Sequence, residues 1–471
     1  MPIQPSAYAQ TPVSTLLDEV GKGRIGFDQR LIAAIVARPE ESVEALVAYG
    51  SKPAEGARLE IDADILNLLA HLPGAPAIDY IATLLREGFT ELPSSMVKIA
   101  REAGAGAIEP LINAYRALEE DASGEVAFLL AGLGVHDQRI FDIILERLDF
   151  DMEDGAILLG LYGDKAGIAP LEKLLAEVGK NREIEFALEQ LKHIAPEIPE
   201  PEIDFLEDYA ATAGPEFEVL DDDEIVEFAT SHEDEAVRLA ALDVLEDLEL
   251  PETAVTPLMA LAAGSDTIAV RAAAFRALAR LNQIAEVRSV AEATLEDSHA
   301  PAALRAASLI TLLPDSVPAK KLRTYVEEFL ANPSSRADGV HAMWRSREAS
   351  YNTRFGAFLE DPDLAVRRQA IRGAGVCGDV TAIGKLRDLM LDDDVRKDAI
   401  FAYSMAVPSD VSPSRMRSLF KRIEKEAGGL NHDETTAVAI ALDMRLEADG
   451  KEAIFLSEVE DADEHEGHQH D

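Results

Sequence analysis

The stretch Leu359–Val407, LEDPDLAVRRQAIRGAGVCGDVTAIGKLRDLMLDDDVRKDAIFAYSMAV, decides the fold. It holds two helix starts of one kind, DPDLAVRRQAI and LDDDVRKDAI, separated by GDVTAIGKLRDLML. Acidic residues suit a helix N-terminus, where unpaired N–H donors and the positive end of the dipole lie. Val366, Ala370 and Ile371 then share one face of a helix.

Working outward, the arginine of each Val-Arg pair serves as a ruler. Arg238, Arg271, Arg305, Arg336, Arg367 and Arg396 are spaced 33, 34, 31, 31 and 29 residues apart, the range of helical-hairpin repeats. Three positions on, each has a small residue (Ala241, Ala274, Ser308, Gly339, Ala370, Ala399); the next is always apolar (Leu242, Phe275, Leu309, Val340, Ile371, Ile400). A small column lets helices approach closely, and the adjacent column supplies buried area. The residue before the arginine is aliphatic except at Ser335, so the repeat around Arg336 departs from the pattern.

These residues resemble the HEAT repeat family, in its short form found in phycobilisome-lyase-type proteins. The resemblance implies an all-α solenoid, a right-handed superhelix of helical pairs with inner helices on the concave wall. It also implies that the six arginines form a structural ladder between repeats, pairing with acidic groups such as Asp266, Asp361 or Asp393.

Residues 1–25 show no clear period and read as a mobile lead-in. From 26 to 194 a divergent array is marked by Ile78, Ile108, Ile140 and Ile168, spaced 30, 32 and 28, again the repeat period. Residues 195–220 read as an acidic, proline-containing linker. From Pro196 to Leu250 there are 20 acidic residues against one basic, Arg238. This block is either a self-repelling solvated segment or a strip for a basic partner. The second array runs over 221–446, and an acidic tail, 447–471, carries His465, His468 and His470. Such imidazoles beside carboxylates can chelate zinc, nickel or copper, though without a preformed site.

Counting five from each ladder arginine gives Asp243, Arg276, Ile310, His341, Arg372 and Phe401, and equivalent positions align along a solenoid. His341, Trp344, Arg345, Arg368, Arg372 and Phe401 are therefore a candidate protein-binding patch of mixed basic and aromatic character. The alternative places Trp344 in the core and the arginines on a solvated face.

A net charge of −44 opposes nucleic acid, whose phosphates are bound through Lys and Arg, and favours protein partners, some of them basic. No apolar run suits a membrane span, and no leader pattern opens the chain; a cytoplasmic protein is expected. The one cysteine, Cys377, reads as a small core filler without an evident activating base. LDFDMEDGAILLG fails as an EF-hand, with Asp154 at the turn-glycine position and Gly160 where the bidentate glutamate belongs. The di-iron deoxyhypusine hydroxylases, also HEAT-like, need several His-Glu pairs; within the arrays only His232-Glu233 matches. The expectation is a non-catalytic scaffold or adaptor with no cofactor. The opposing reading, a bilin lyase or isomerase, predicts visible absorbance on incubation with bilin and an acceptor protein. A third is metal delivery through the tail.

Overall fold

The computed structural model describes residues 2–50, 58–72, 77–86, 92–119, 123–193, 209–314 and 316–457. The chain divides into two compact units, Met1–Leu220 and Asp221–Asp471. Each is a stack of antiparallel helical hairpins, and no strand occurs among the described residues. The chain is thus an all-α solenoid, and no described helix is long and apolar enough to cross a membrane.

Unit 1 contains α1 (Val13–Val20), α2 (Gln29–Val36), α3 (Pro39–Gly50), α4 (Arg58–His71), α5 (Ile78–Arg86), α6 (Ser94–Ala103), α7 (Ile108–Ala117), α8 (Gly124–Ala131), α9 (Gln138–Phe150), α10 (Met152–Tyr162), α11 (Ile168–Val178) and α12 (Arg182–His193). The isoleucine markers stand at or near the starts of α5, α7, α9 and α11, as the period requires. Residues 1–25 are not a loose lead-in. Val13, Leu16, Leu17 and Val20 recur at helical spacing, and α1 buries them against the neighbouring helices. Of the expected linker, residues 195–208 lie outside the described residues. Its described part, 209–220, lies along the start of unit 1: the Gln29 amide donates to the Ala210 carbonyl at 3.1 Å, and the Ala213 amide to Asp28 at 3.2 Å. The EF-hand-like segment is a helix junction, where Asp151 caps α10 and Asp154 pairs with the buried Arg147 at 2.8 Å.

Unit 2 contains α13 (Asp222–Ser231), α14 (Glu235–Asp247), α15 (Val255–Ala263), α16 (Ile268–Ala277), α17 (Ala285–Glu296), α18 (Ala302–Leu312), α19 (Ala319–Ala331), α20 (Arg336–Arg345), α21 (Leu364–Val376), α22 (Ile383–Leu389), α23 (Arg396–Ala406), α24 (Pro413–Glu426) and α25 (His432–Ala448). The inner row is α14, α16, α18, α20, α21, α23 and α25, each packed on the next. Both repeat columns are buried along it, the apolar one at 2% exposure or less from Leu242 to Ile400. Each such side chain contributes about 1.5–3 kcal/mol. At Gly375 the helices approach closely: a Cβ there would stand 2.7 Å from Ala402 Cα on α23.

The irregular repeat is not that of Ser335, whose buried hydroxyl donates to the Phe329 carbonyl at 3.1 Å. It is the following one. Before α21 there is no outer α-helix but two short 3-10 turns, Ala349–Tyr351 and Phe355–Ala357. Asn352, Thr353 and Gly356 are weak helix formers, and Tyr351, Phe355 and Leu359 fill the space with at most 2% exposure.

Four of the six ladder arginines reach across to an acidic group, and two have only backbone carbonyls among these contacts. Arg238 pairs with Asp266 at 3.1 Å, Arg336 with Asp361 at 3.4 Å, Arg305 with Glu328, and Arg396 with Glu434 at 2.6 Å. Arg271 and Arg367 instead bond carbonyls, of Ala262 at 3.0 Å and of Asp361 at 3.1 Å. None of the six pairs with Asp393 in these contacts. The tail also begins folded: the Asp443 carboxylate accepts the amides of Ile454, Phe455 and Leu456 at 2.7–3.0 Å. His465, His468 and His470 lie outside the described residues.

Candidate functional site

The inner row of unit 2 bends sharply. Between α14 and α21 lie four helix-to-helix steps, which at about 9 Å each would set them about 36 Å apart in a straight row. Yet Arg372 on α21 reaches Asp247, the last residue of α14, at 3.3 Å. Inside the bend is a cleft of about 620 Å³, bordered by the C-terminal ends of α14, α20 and α21 and by the faces of α23 and α25.

Beneath it sits a buried charged cluster. Arg276 on α16 bridges Glu246 on α14 at 3.2 Å and Asp338 on α20 at 3.1 Å, passing over α18. Burial pushes both carboxyls above their usual range, and Arg276 pulls each back. His341 is fully buried, with Nδ1 3.5 Å from Glu246 and no hydrogen bond at either nitrogen. Burial, then Arg276, Arg345 and Arg372, hold its imidazole well below its ordinary value, so it is neutral. The Trp344 ring covers it, stacked at 4.5 Å, and donates its indole N–H to Gln369 at 3.1 Å.

Four of the six expected patch residues, Trp344, Arg345, Arg372 and Phe401, do line the cleft. Two do not. His341 has no exposed surface and cannot touch a partner, because the bend closes over its column. Arg368 lies outside the lining, where it bonds the Asp394 carbonyl at 3.2 Å. The trace at the fifth position after each ladder arginine missed a second one. The ninth position gives Asp247, Arg280, Pro314, Arg345, Val376 and Met405, and four of these six, Asp247, Arg280, Arg345 and Val376, border the cleft. That register, one helical turn further along the same face, was a signal present in the sequence.

On the far wall, α25 contributes Ile440 and Met444, and Lys397 pairs with Asp433 at 3.4 Å. Val376, Ile440 and Met444 remain 49%, 39% and 45% exposed. Cys377 lies just past α21, and burial, then Asp379, push its thiol up to about 11. It is a poor nucleophile there. Among the described residues no cluster of His, Cys, Asp and Glu could hold a metal ion.

No family model matches the chain, and a search of curated proteins finds no match. Among solved structures the chain is similar to an engineered protein, 15% identical, over 85% of this chain and 100% of that one, with a TM-score of 0.19. It is also similar to a structure concerning tubulin recruitment and assembly by microtubule polymerases with TOG domain arrays: 12% identical, 80% and 98% covered, TM-score 0.19. Likeness at that score carries no argument about this site.

Proposed function

We propose that the chain is a non-catalytic, HEAT-like repeat scaffold that holds a segment of another protein in the unit 2 cleft. One observation carries this reading: three aliphatic side chains stand exposed on facing walls of a concave surface, beside the half-buried Trp344 and Phe401. Exposed apolar surface grouped in a concavity and rimmed by charge is the composition of a docking face. Two lining carboxylates are already engaged, Asp247 by Arg372 and Asp433 by Lys397, which suits binding rather than proton transfer.

The test is site-specific photo-crosslinking. Benzoylphenylalanine at Phe401 is expected to capture one polypeptide in cells producing the chain, and Ile440→Ser in the same chain to abolish that capture. A probe at Leu391, 71% exposed and outside the cleft lining, is expected to capture none of it. Equal labelling from both positions refutes the reading.

A further inference from the structure

The cleft's cations are not equally engaged. Arg372 and Lys397 each have a carboxylate. Among the described residues Arg280 bonds only the backbone carbonyl of Glu246, at 3.3 Å. Arg345 has neither ion pair nor hydrogen bond among the described residues; its Nε is buried and unpartnered. The two nearby carboxylates are taken, Glu246 by Arg276 and Asp247 by Arg372.

Its other neighbours are cations. Burial, Arg280 and Arg347 all act against the Arg345 charge and lower its pKa, with Glu246 and Asp247 opposing them. Arg347, two residues on, has φ 54°, the left-handed region, which costs a non-glycine residue about 1 kcal/mol. A cation at a helix C-terminus has an ordinary electrostatic reason, and that accounts for one guanidinium per helix end. It does not account for a desolvated one crowded by two others.

An anion relieves this arrangement. Guanidinium binds carboxylate through paired, charge-assisted hydrogen bonds, and in a desolvated setting the gain exceeds that of a surface pair. The chain's overall charge of −44 does not forbid it, since at 0.1 M salt exposed charges are screened beyond about 10 Å. Beside the arginines lie the exposed Val376, Ile440 and Met444.

We propose that the cleft recognises an acidic peptide segment of its partner, with one carboxylate seated at Arg345 and Arg280 and an adjacent apolar side chain laid across Val376, Ile440 and Met444. This rests on the docking reading above and reverses the expectation of a basic partner: the acidic outer surface is screened at this ionic strength, and the cleft supplies the cations that seat the segment.

The experiment uses the full chain and three pools of fluorescein-labelled dodecapeptides. Leu and Phe alternate with Glu and Asp in the first, with Lys in the second and with Gln in the third. Fluorescence anisotropy at 0.1 M salt is expected to show the acidic pool binding at least tenfold tighter than the other two. Arg345→Met is expected to cost the acidic pool tenfold or more and to leave the glutamine pool unchanged. An unchanged Trp344 emission and thermal midpoint establish that the variant is folded. Tighter binding of the lysine pool, an acidic preference that survives Arg345→Met, or no binding by any pool overturns the inference. Each of these leaves the crosslinking result standing as the measure of docking itself.

Discussion

Replacing Arg276 with methionine keeps an unbranched apolar stem and removes the one charge that bridges Glu246 and Asp338. Both carboxylates are largely buried, with side chains 9% and 13% exposed, so the variant strands two anions. Breaking a buried pair by removing one partner costs about 3–5 kcal/mol. Arg276 keeps 24% exposure and water can follow its path, so about 3 kcal/mol at pH 8 is expected. The sign of the pH dependence follows from the raised carboxyl pKa values. A carboxyl whose folded pKa lies above its unfolded value stabilises fully below the unfolded value, near 4, and loses that contribution as pH rises through the folded one. Without Arg276 both values climb further. The destabilisation therefore shrinks as pH falls from 8 to 5, by up to about 1.4 kcal/mol per pH unit for each proton taken up. The chain's single tryptophan, Trp344, is stacked on His341 beside this cluster. Urea titrations followed by its fluorescence thus report on unit 2. A cost below about 1 kcal/mol, or one that does not change between pH 5 and 8, refutes the reasoning, as does a failure of Glu246→Gln/Asp338→Asn to restore stability in the Arg276→Met background.

Three further outcomes are expected. His341→Phe removes two buried nitrogens without partners and is neutral or stabilising by about 1 kcal/mol; because the folded His341 pKa is depressed, the wild type loses stability as pH falls below about 6.5 and the variant loses less, which thermal melts from pH 7 to 5 will show. Gly375→Ala drives a methyl against the Ala402 backbone and costs about 1–3 kcal/mol, whereas Gly384→Ala, with nothing within 4 Å, gives no loss in the same chemical melts. Arg396→Ala breaks contacts to Glu434 and to the carbonyls of Met390, Ala427 and Gly429, and costs about 2–3 kcal/mol against about 1 for Arg271→Ala; equal costs contradict the unequal roles assigned to the ladder.

The repeat was legible because each hairpin places the same demand on the same column. Ala370 and Ala399 must be small where inner helices touch, and Ile371 and Ile400 must fill the layer behind them. Burial in the structure follows those columns even where the helix start shifts, since Arg336 and Arg396 open their helices while Arg238 and Arg367 stand three residues inside. What sequence equivalence did not reveal was depth. Arg276, His341 and Arg372 share a register, yet the bend buries His341 and leaves Arg372 41% exposed. Curvature depends on how hairpins pack, including the missing outer helix before α21, and no single column encodes it. Arg280 carries no motif of its own, and its ninth-position register with Arg345 acquires meaning only once the bend brings both to the cleft. At the N-terminus, α1 escaped notice because one eight-residue helix next to Pro12 shows too few turns for its period to stand out.

The bridge from α14 through Arg276 to α20 alters how unit 2 should come apart. A linear array whose members touch only their immediate neighbours can fray inward from either extremity, shedding one hairpin after another. Here a strut skips a member, and a second tie joins Asp247 to Arg372, so the hairpins between them are fastened at both margins. Melting of this segment should be all-or-none rather than a progressive unzipping, and the boundary between the two regimes should fall after α21, where the remaining hairpins hang from the ring by adjacency alone.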